Sequence, residues 1–287
     1  MSLALLLIPR IRIMQVLRLN TIHSYLTSLC IAIIGCLLSI HGHTASSASE
    51  YFQSGLHYLE QQNYVQARTH FLNAVSSEPI DPKTLGMSYY HLAQTCFRLK
   101  EYKMADQYAQ QSVIYFKDAP LKLANAYELV GKINFYEKQY IKAERAFLLT
   151  LQSHPKKESR HFMYLAKTYI KSKKLDDAIE VLDLAISQFG DLQSFHDKAF
   201  ELELKLYRYE DAMHRVEYLI AGGKRPIHNL IKLGELHQYR GNLGKAKAAF
   251  SQASTLFHNL PSAKKNSAYM KQLSKTIQTR MSLAGSP

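Results

Sequence analysis

Few residues in this 287-residue chain could do chemistry, and they are widely spaced. His41-Gly42-His43 places two imidazoles close enough to touch one ion, but two ligands are too few for a metal site. Gly222-Gly223-Lys224 resembles the end of a phosphate-binding loop. It lacks the earlier glycine and the following Ser or Thr that would cradle phosphate and Mg2+. There is no GxGxxG, HExxH or CxxC, and no Ser, His and Asp fall in an order that nominates a nucleophile with its base. Cys96 lies on an apolar helical stripe, the place of a small core residue rather than a nucleophile. The expectation is therefore a non-enzyme with no cofactor and no metal site. Such a chain acts through the surface its elements display.

Those elements are copies of one unit, Tyr51 to Pro79. Tyr51, Gly55 and Tyr58 are spaced by four and three, one face of a helix. Asn63 marks a turn, and Tyr64, Ala67, Phe71 and Ala74 then form one face of a second helix. Pro79 ends the unit because it cannot continue a helix. Gly55 and Ala67 have almost no side chain, so the two helices can cross closely with aromatics on either side. The second-helix alanine recurs as Ala67, Ala105, Ala143, Ala178, Ala212 and Ala246. In step with it run the first-helix residues Gly55, Ala93, Gly131, Ala166, Ala199 and Gly234. Phe71, Phe147 and Phe250 share a register in which Ala109, Leu182 and Val216 substitute.

This pattern resembles the tetratricopeptide repeat, a helix–turn–helix of 34 residues. The resemblance implies an all-α fold: a right-handed α-solenoid of about six repeats over residues 49–260, capped by a basic C-terminal helix over 261–287. In the fifth repeat Ala199 precedes Ala212 by one residue more than elsewhere, so its first helix is expected to be shifted or distorted. Ala221 to Pro226 reads as a flexible hinge. After Pro261, Met270, Leu273, Ile277 and Met281 form one stripe among lysines. That stripe suits a solubilising cap, or else a basic helix that meets a membrane or a partner.

By resemblance, the first helices of such repeats line a concave groove that holds partner peptides. Carried over position by position, the lining is Tyr90, Gln94, Phe97 and Arg98 in the second repeat. Glu128, Lys132, Phe135 and Tyr136 follow in the third, and Arg160, Met163, Lys167, Ile170 and Lys171 in the fourth. The groove is expected to be aromatic and basic, suited to acidic or aromatic peptide segments. Family members that grip a C-terminal carboxylate use Lys and Asn where Phe52 and Leu56 stand here, so that activity is not implied.

The formal charge is +13, which by itself suggests an acidic partner. The first 48 residues hold no Asp, Glu or Lys. Arg10, Arg12 and Arg18 precede an apolar run from Leu26 to Ile40 and then Ser46-Ser47-Ala48. That order is a secretory signal peptide, or an uncleaved N-terminal membrane anchor; a start at Met14 would make the leader more ordinary. Ile33-Ile34-Gly35-Cys36 resembles a lipobox, which would lipidate Cys36. Export places the body where nucleic acid is scarce, so nucleic acid is not an expected partner. The combined features resemble exported bacterial repeat scaffolds of β-barrel assembly, pilus biogenesis and exopolysaccharide export. They imply a periplasmic or membrane-associated adaptor in the cell envelope that binds other proteins. The alternative is an inner-membrane-anchored regulator of an envelope polysaccharide or lipid pathway.

Overall fold

The computed structural model describes residues 48–190 and 192–285. Almost all of the expected leader, with Cys36, His41 and His43, lies outside these residues. Ala48, the leader's expected last residue, is already helical and buried. The chain forms two compact units that divide between Pro155 and Lys156.

Among the described residues the first unit holds six helices: α1 (48–60), α2 (Tyr64–Ser76), α3 (Pro82–Arg98), α4 (Tyr102–Tyr115), α5 (Pro120–Tyr136) and α6 (Tyr140–Ser153). The second holds α7 (Ser159–Lys171), α8 (Leu175–Phe189), α9 (Gln193–Lys205), α10 (Tyr209–Ala221), α11 (Pro226–Tyr239), α12 (Leu243–His258), the short α13 (Ser262–Lys265) and α14 (Ala268–Gly285). No strand occurs among the described residues. The fold is all-α, and within each unit it is an array of helical hairpins in which successive long helices pack on one another.

Local signals start these helices. Asn63 accepts from the Gln66 backbone N–H at 3.3 Å, and Asp81 accepts from Thr84 at 2.9 Å, satisfying amides that have no intrahelical partner. Hydrogen bonding from Thr84 also holds the Asp81 carboxyl below its ordinary pKa. Pro82, Pro120 and Pro226 open α3, α5 and α11, where a missing N–H costs nothing.

One turn joins the two helices of every hairpin. Its αL residue is Gln62, Lys100, Lys138, Lys173 or Tyr207, with φ between 59° and 64°, or Gly241 at 74°. The next amide always reaches back five residues: Asn63 to Tyr58, Glu101 to Cys96, Gln139 to Asn134, Lys174 to Tyr169, Arg208 to Glu203 and Asn242 to His237, at 2.8 to 2.9 Å. This is the Schellman arrangement. It sets both the length of the turn and the angle at which the chain returns.

The expected close crossings are present. A Cβ on Gly55 would lie 2.6 Å from the Phe71 ring, one on Gly131 2.6 Å from Phe147, and one on Gly234 2.4 Å from Phe250. Where the first-helix residue is Ala93 or Ala166, the opposed register position holds Ala109 or Leu182, and all four are fully buried. In three hairpins the phenylalanine ring fills the space that glycine leaves open.

Two expectations need revision. Helix α9 is unbroken, and its turn is the same as the others. Counted back from that turn, Phe200 stands where the other first helices have Gly or Ala, with Ala199 one residue earlier. Both are buried, and Lys232 Nζ sits 4.5 Å over the Phe200 ring. The distortion is thus a change of register. The expected hinge at Ala221–Pro226 is tied down: Lys224 N–H donates to Leu219 O at 2.9 Å, and Asn229 Nδ2 donates to Lys224 O at 2.6 Å. Two glycines do not loosen a loop in which the Gly222, Gly223 and Lys224 amides all bond back to the end of α10.

Helix α14 covers α12 and α11 through Leu273 and Ile277, with Met270 and Met281 packed beside them. Arg280 pairs with Glu235 at 2.8 Å.

Candidate interaction surface

At the turn end of the second and third repeats the structure gathers five rings. Phe97, near the end of α3, meets Tyr136, the last residue of α5, edge to face with centroids 5.4 Å apart. Tyr102, the first residue of α4, stacks on Tyr136 at 6.4 Å and 17° and lies 5.9 Å from Phe97. Phe135 contacts Tyr136 and Tyr140, each at 5.8 Å. The Schellman turn explains the gathering, because it sets the first residue of each second helix beside the last turn of its first helix. Four rings are half-buried, and Tyr136 stands 59% exposed on them. Its supported ring loses little entropy when it is covered, the property that concentrates binding energy at interfaces.

Cations flank this ridge in sequence. Arg98 follows Phe97, and Lys100 and Lys138 hold the αL positions of the two turns; all three are exposed. Glu101, in the same turn, is committed to Arg68 of α2.

The other expected lining residues have different neighbours. Tyr90 packs against His91 and Phe116, and Gln94 Oε1 lies 3.0 Å from His91 Nδ1. His91 stacks on Phe71, and burial lowers its pKa. These residues belong to the packing around α3. Lys132 was expected to supply charge to a partner, but its Nζ pairs at 2.5 Å with Glu128, which is 4% exposed. The two lie four residues apart on α5, so the ammonium compensates a buried carboxylate. In the second unit Arg160 pairs with Glu158 at 3.0 Å. Lys167 and Lys171 are exposed one turn apart on α7, and Met163 and Ile170 are half-buried.

In the sequence Tyr102 and Tyr140 mark only a register, three residues before Ala105 and Ala143. Nothing in the spacing put Tyr102 against the next repeat's Tyr136. A second feature also escaped sequence reading. In the second unit Arg215 of α10 donates through Nε to both Glu203 oxygens at 3.0 Å and through one terminal nitrogen to Asp183 at 2.8 Å. Glu203 is 1% exposed. Burial works against the Arg215 charge, but Glu203 and then Asp183 more than offset it and hold the pKa above its ordinary value. The network ties α8, α9 and α10 at the floor of a depression of about 560 Å³.

Cys96 is the one cysteine among the described residues. Burial pushes the Cys96 thiol up to about 12, far from the range of a nucleophile. No group of three or more His, Cys, Asp or Glu there could hold a metal ion. No described helix is long and apolar enough to cross a membrane.

Comparison with known proteins agrees with this geometry. A tetratricopeptide-repeat family model matches residues 88–113, the end of α3, its turn and most of α4. The C-terminal part of a repeat-containing protein from Cytophaga hutchinsonii has a TM-score of 0.57 and 15% identity, over 81% of this chain and 92% of that one. MamA from Desulfovibrio magneticus RS-1 has a TM-score of 0.51 and 15% identity, over 61% of this chain and 94% of that one. At such identities the likeness is one of fold. No curated protein matches the sequence. With the hairpin and its turn recurring along both units, the fold is that of a tetratricopeptide-repeat array, and residues 88–113 match the family's own model.

Proposed function

We propose that this protein is a non-catalytic scaffold of the bacterial cell envelope, and that it holds an aromatic or acidic segment of a partner protein against the ridge of its second and third repeats. The observation that carries the reading is the ridge itself: an exposed Tyr136 supported by four half-buried rings. The order of arginines, apolar run and small residues in the first 48 residues supports the envelope location. Finding the chain in the soluble cytosolic fraction would remove that part of the reading.

The binding test separates apolar from electrostatic contributions. Tyr136→Ala is expected to weaken affinity for the co-purified partner about thirtyfold, the equivalent of about 2 kcal/mol for an interface anchor. The loss should be the same at low and high salt. Replacing Lys100 and Lys138, the exposed turn lysines beside the ridge, by Gln, the residue that Gln62 supplies at the same turn position, should slow association mainly at low salt, because exposed lysines act through a screened field. Wild-type binding by both variants would rule out this surface.

A further inference from the structure

The positive charge of this chain is not spread evenly. After Glu235 the sequence contains no Asp or Glu, yet it carries eight Lys and Arg. Two of these reach back to acids upstream: Arg240 pairs with Glu210, and Arg280 with Glu235. The lysines of α13 and α14 have no such outlet. No acidic side chain among the described residues pairs with Lys264, Lys271 or Lys275, and Lys265 Nζ meets only the His258 carbonyl. Lys271 and Lys275, both exposed, lie four apart on the side of α14 opposite the buried Leu273 and Ile277. The terminal helix therefore turns its apolar stripe inward and an uncompensated cationic stripe outward.

Beside this stripe lies a largely apolar depression. It has a volume of about 500 Å³, between the start of α11 and the start of α14, and Ile227, Leu260, Met270 and Leu273 line it. Arg225 stands at it, 59% exposed and 3.9 Å from Asp197, and so does Tyr269, 57% exposed. Cations and apolar surface thus share one end of the unit.

From this we infer that α13, α14 and the adjoining cleft form a docking surface for anionic membrane lipid. A single-sign face suits a diffuse negative surface better than a protein partner. Recognition of one protein by another uses interspersed charges to set register and exclude wrong partners, whereas α13 and α14 carry no acid and the two acids nearby are already paired, Glu235 with Arg280 and Asp197 with Arg225 and Lys232. Lysine, a point charge without a planar fork, suits the same target. The lysines would lie in the negative potential of the headgroups. Tyr269 would occupy the interface, where an amphipathic ring is stable, and the cleft would take apolar lipid surface. This role is independent of the ridge on the first unit, so one protein could hold a partner at a membrane.

The test uses the full chain and vesicles of phosphatidylcholine with or without roughly one third phosphatidylglycerol. Replacing Lys264, Lys265, Lys271 and Lys275 together by Gln should lower partitioning onto the anionic vesicles at least about tenfold, given the usual attraction per lysine. It should leave partitioning onto neutral vesicles unchanged, which separates this face from the apolar N-terminal run. The same four positions changed to Arg should restore binding, and Tyr269→Ser should reduce it further. All these side chains are at the surface, so thermal unfolding should match wild type. Equal partitioning of wild type and the Gln variant onto anionic vesicles would overturn the inference. So would tighter, equally lysine-dependent binding to poly-glutamate or duplex DNA.

Discussion

Replacing Arg215 by Leu is expected to destabilise the second unit by about 3–5 kcal/mol, the usual cost of removing one partner of a buried ion pair. Glu203 would remain 1% exposed with its principal countercharge gone. The carboxylate must then stay charged in a poor medium or take up a proton, and either choice costs stability. Changing Glu203 as well, in Arg215→Leu with Glu203→Leu, should recover most of the loss, because a buried pair and an apolar pair of similar volume are often near equal in stability. Asp183 makes a contrast, since its side chain is 47% exposed. Asp183→Asn should cost under about 1 kcal/mol, as for other solvated ion pairs. Denaturant unfolding of the three variants measures all of this. A loss below about 1 kcal/mol for Arg215→Leu would mean that Glu203 is not dependent on it.

The second large effect concerns the crossing of α5 and α6. Gly131→Leu is expected to cost about 3 kcal/mol, the upper part of the usual range for overpacking. A single Cβ there would already lie 2.6 Å from the edge of Phe147, which is 1% exposed and has nowhere to move. Phe147→Ala alone should cost about 3–5 kcal/mol through the cavity it leaves. Combined, the two changes exchange knob and notch, so the double variant should lose at least about 1 kcal/mol less than the sum of the singles. Ala166 opposite Leu182 shows that the fold accepts other size partitions at this register. Strict additivity would show that the glycine is there for some reason other than the ring.

The repeats could be read from sequence because they rest on local rules. The alanine register and the first-helix glycines require only helical periodicity and the space a side chain occupies, and the Met270–Met281 stripe follows from the same period. What escaped is carried by contacts distant in sequence. Arg215 and Asp183 are 32 residues apart, and Arg68 and Glu101 are 33 apart. On helical faces such charges look solvated until the neighbouring hairpin is in place. Tyr102 and Tyr140 mark a register in the sequence, but their ring partners lie in the last turns of first helices, and the turn together with the packing of α4 on α5 brings them together. Lys132 shows a missed local rule, since Glu128 four residues before it already offered a partner on the same helical face. The Gly222-Gly223 segment misled in the opposite sense. Composition suggested freedom there, whereas hydrogen bonds decide it.

Whether the ridge is the contact surface can be read directly by placing a photo-crosslinking amino acid in the full-length protein in cells. Two positions make the comparison: Tyr136 on the ridge, and Ile141 on α6, which is more exposed at 82%. Greater exposure alone would favour Ile141. The account predicts a discrete crosslinked adduct with a partner protein at Tyr136 and none at Ile141. An adduct at Ile141 with none at Tyr136 would contradict it.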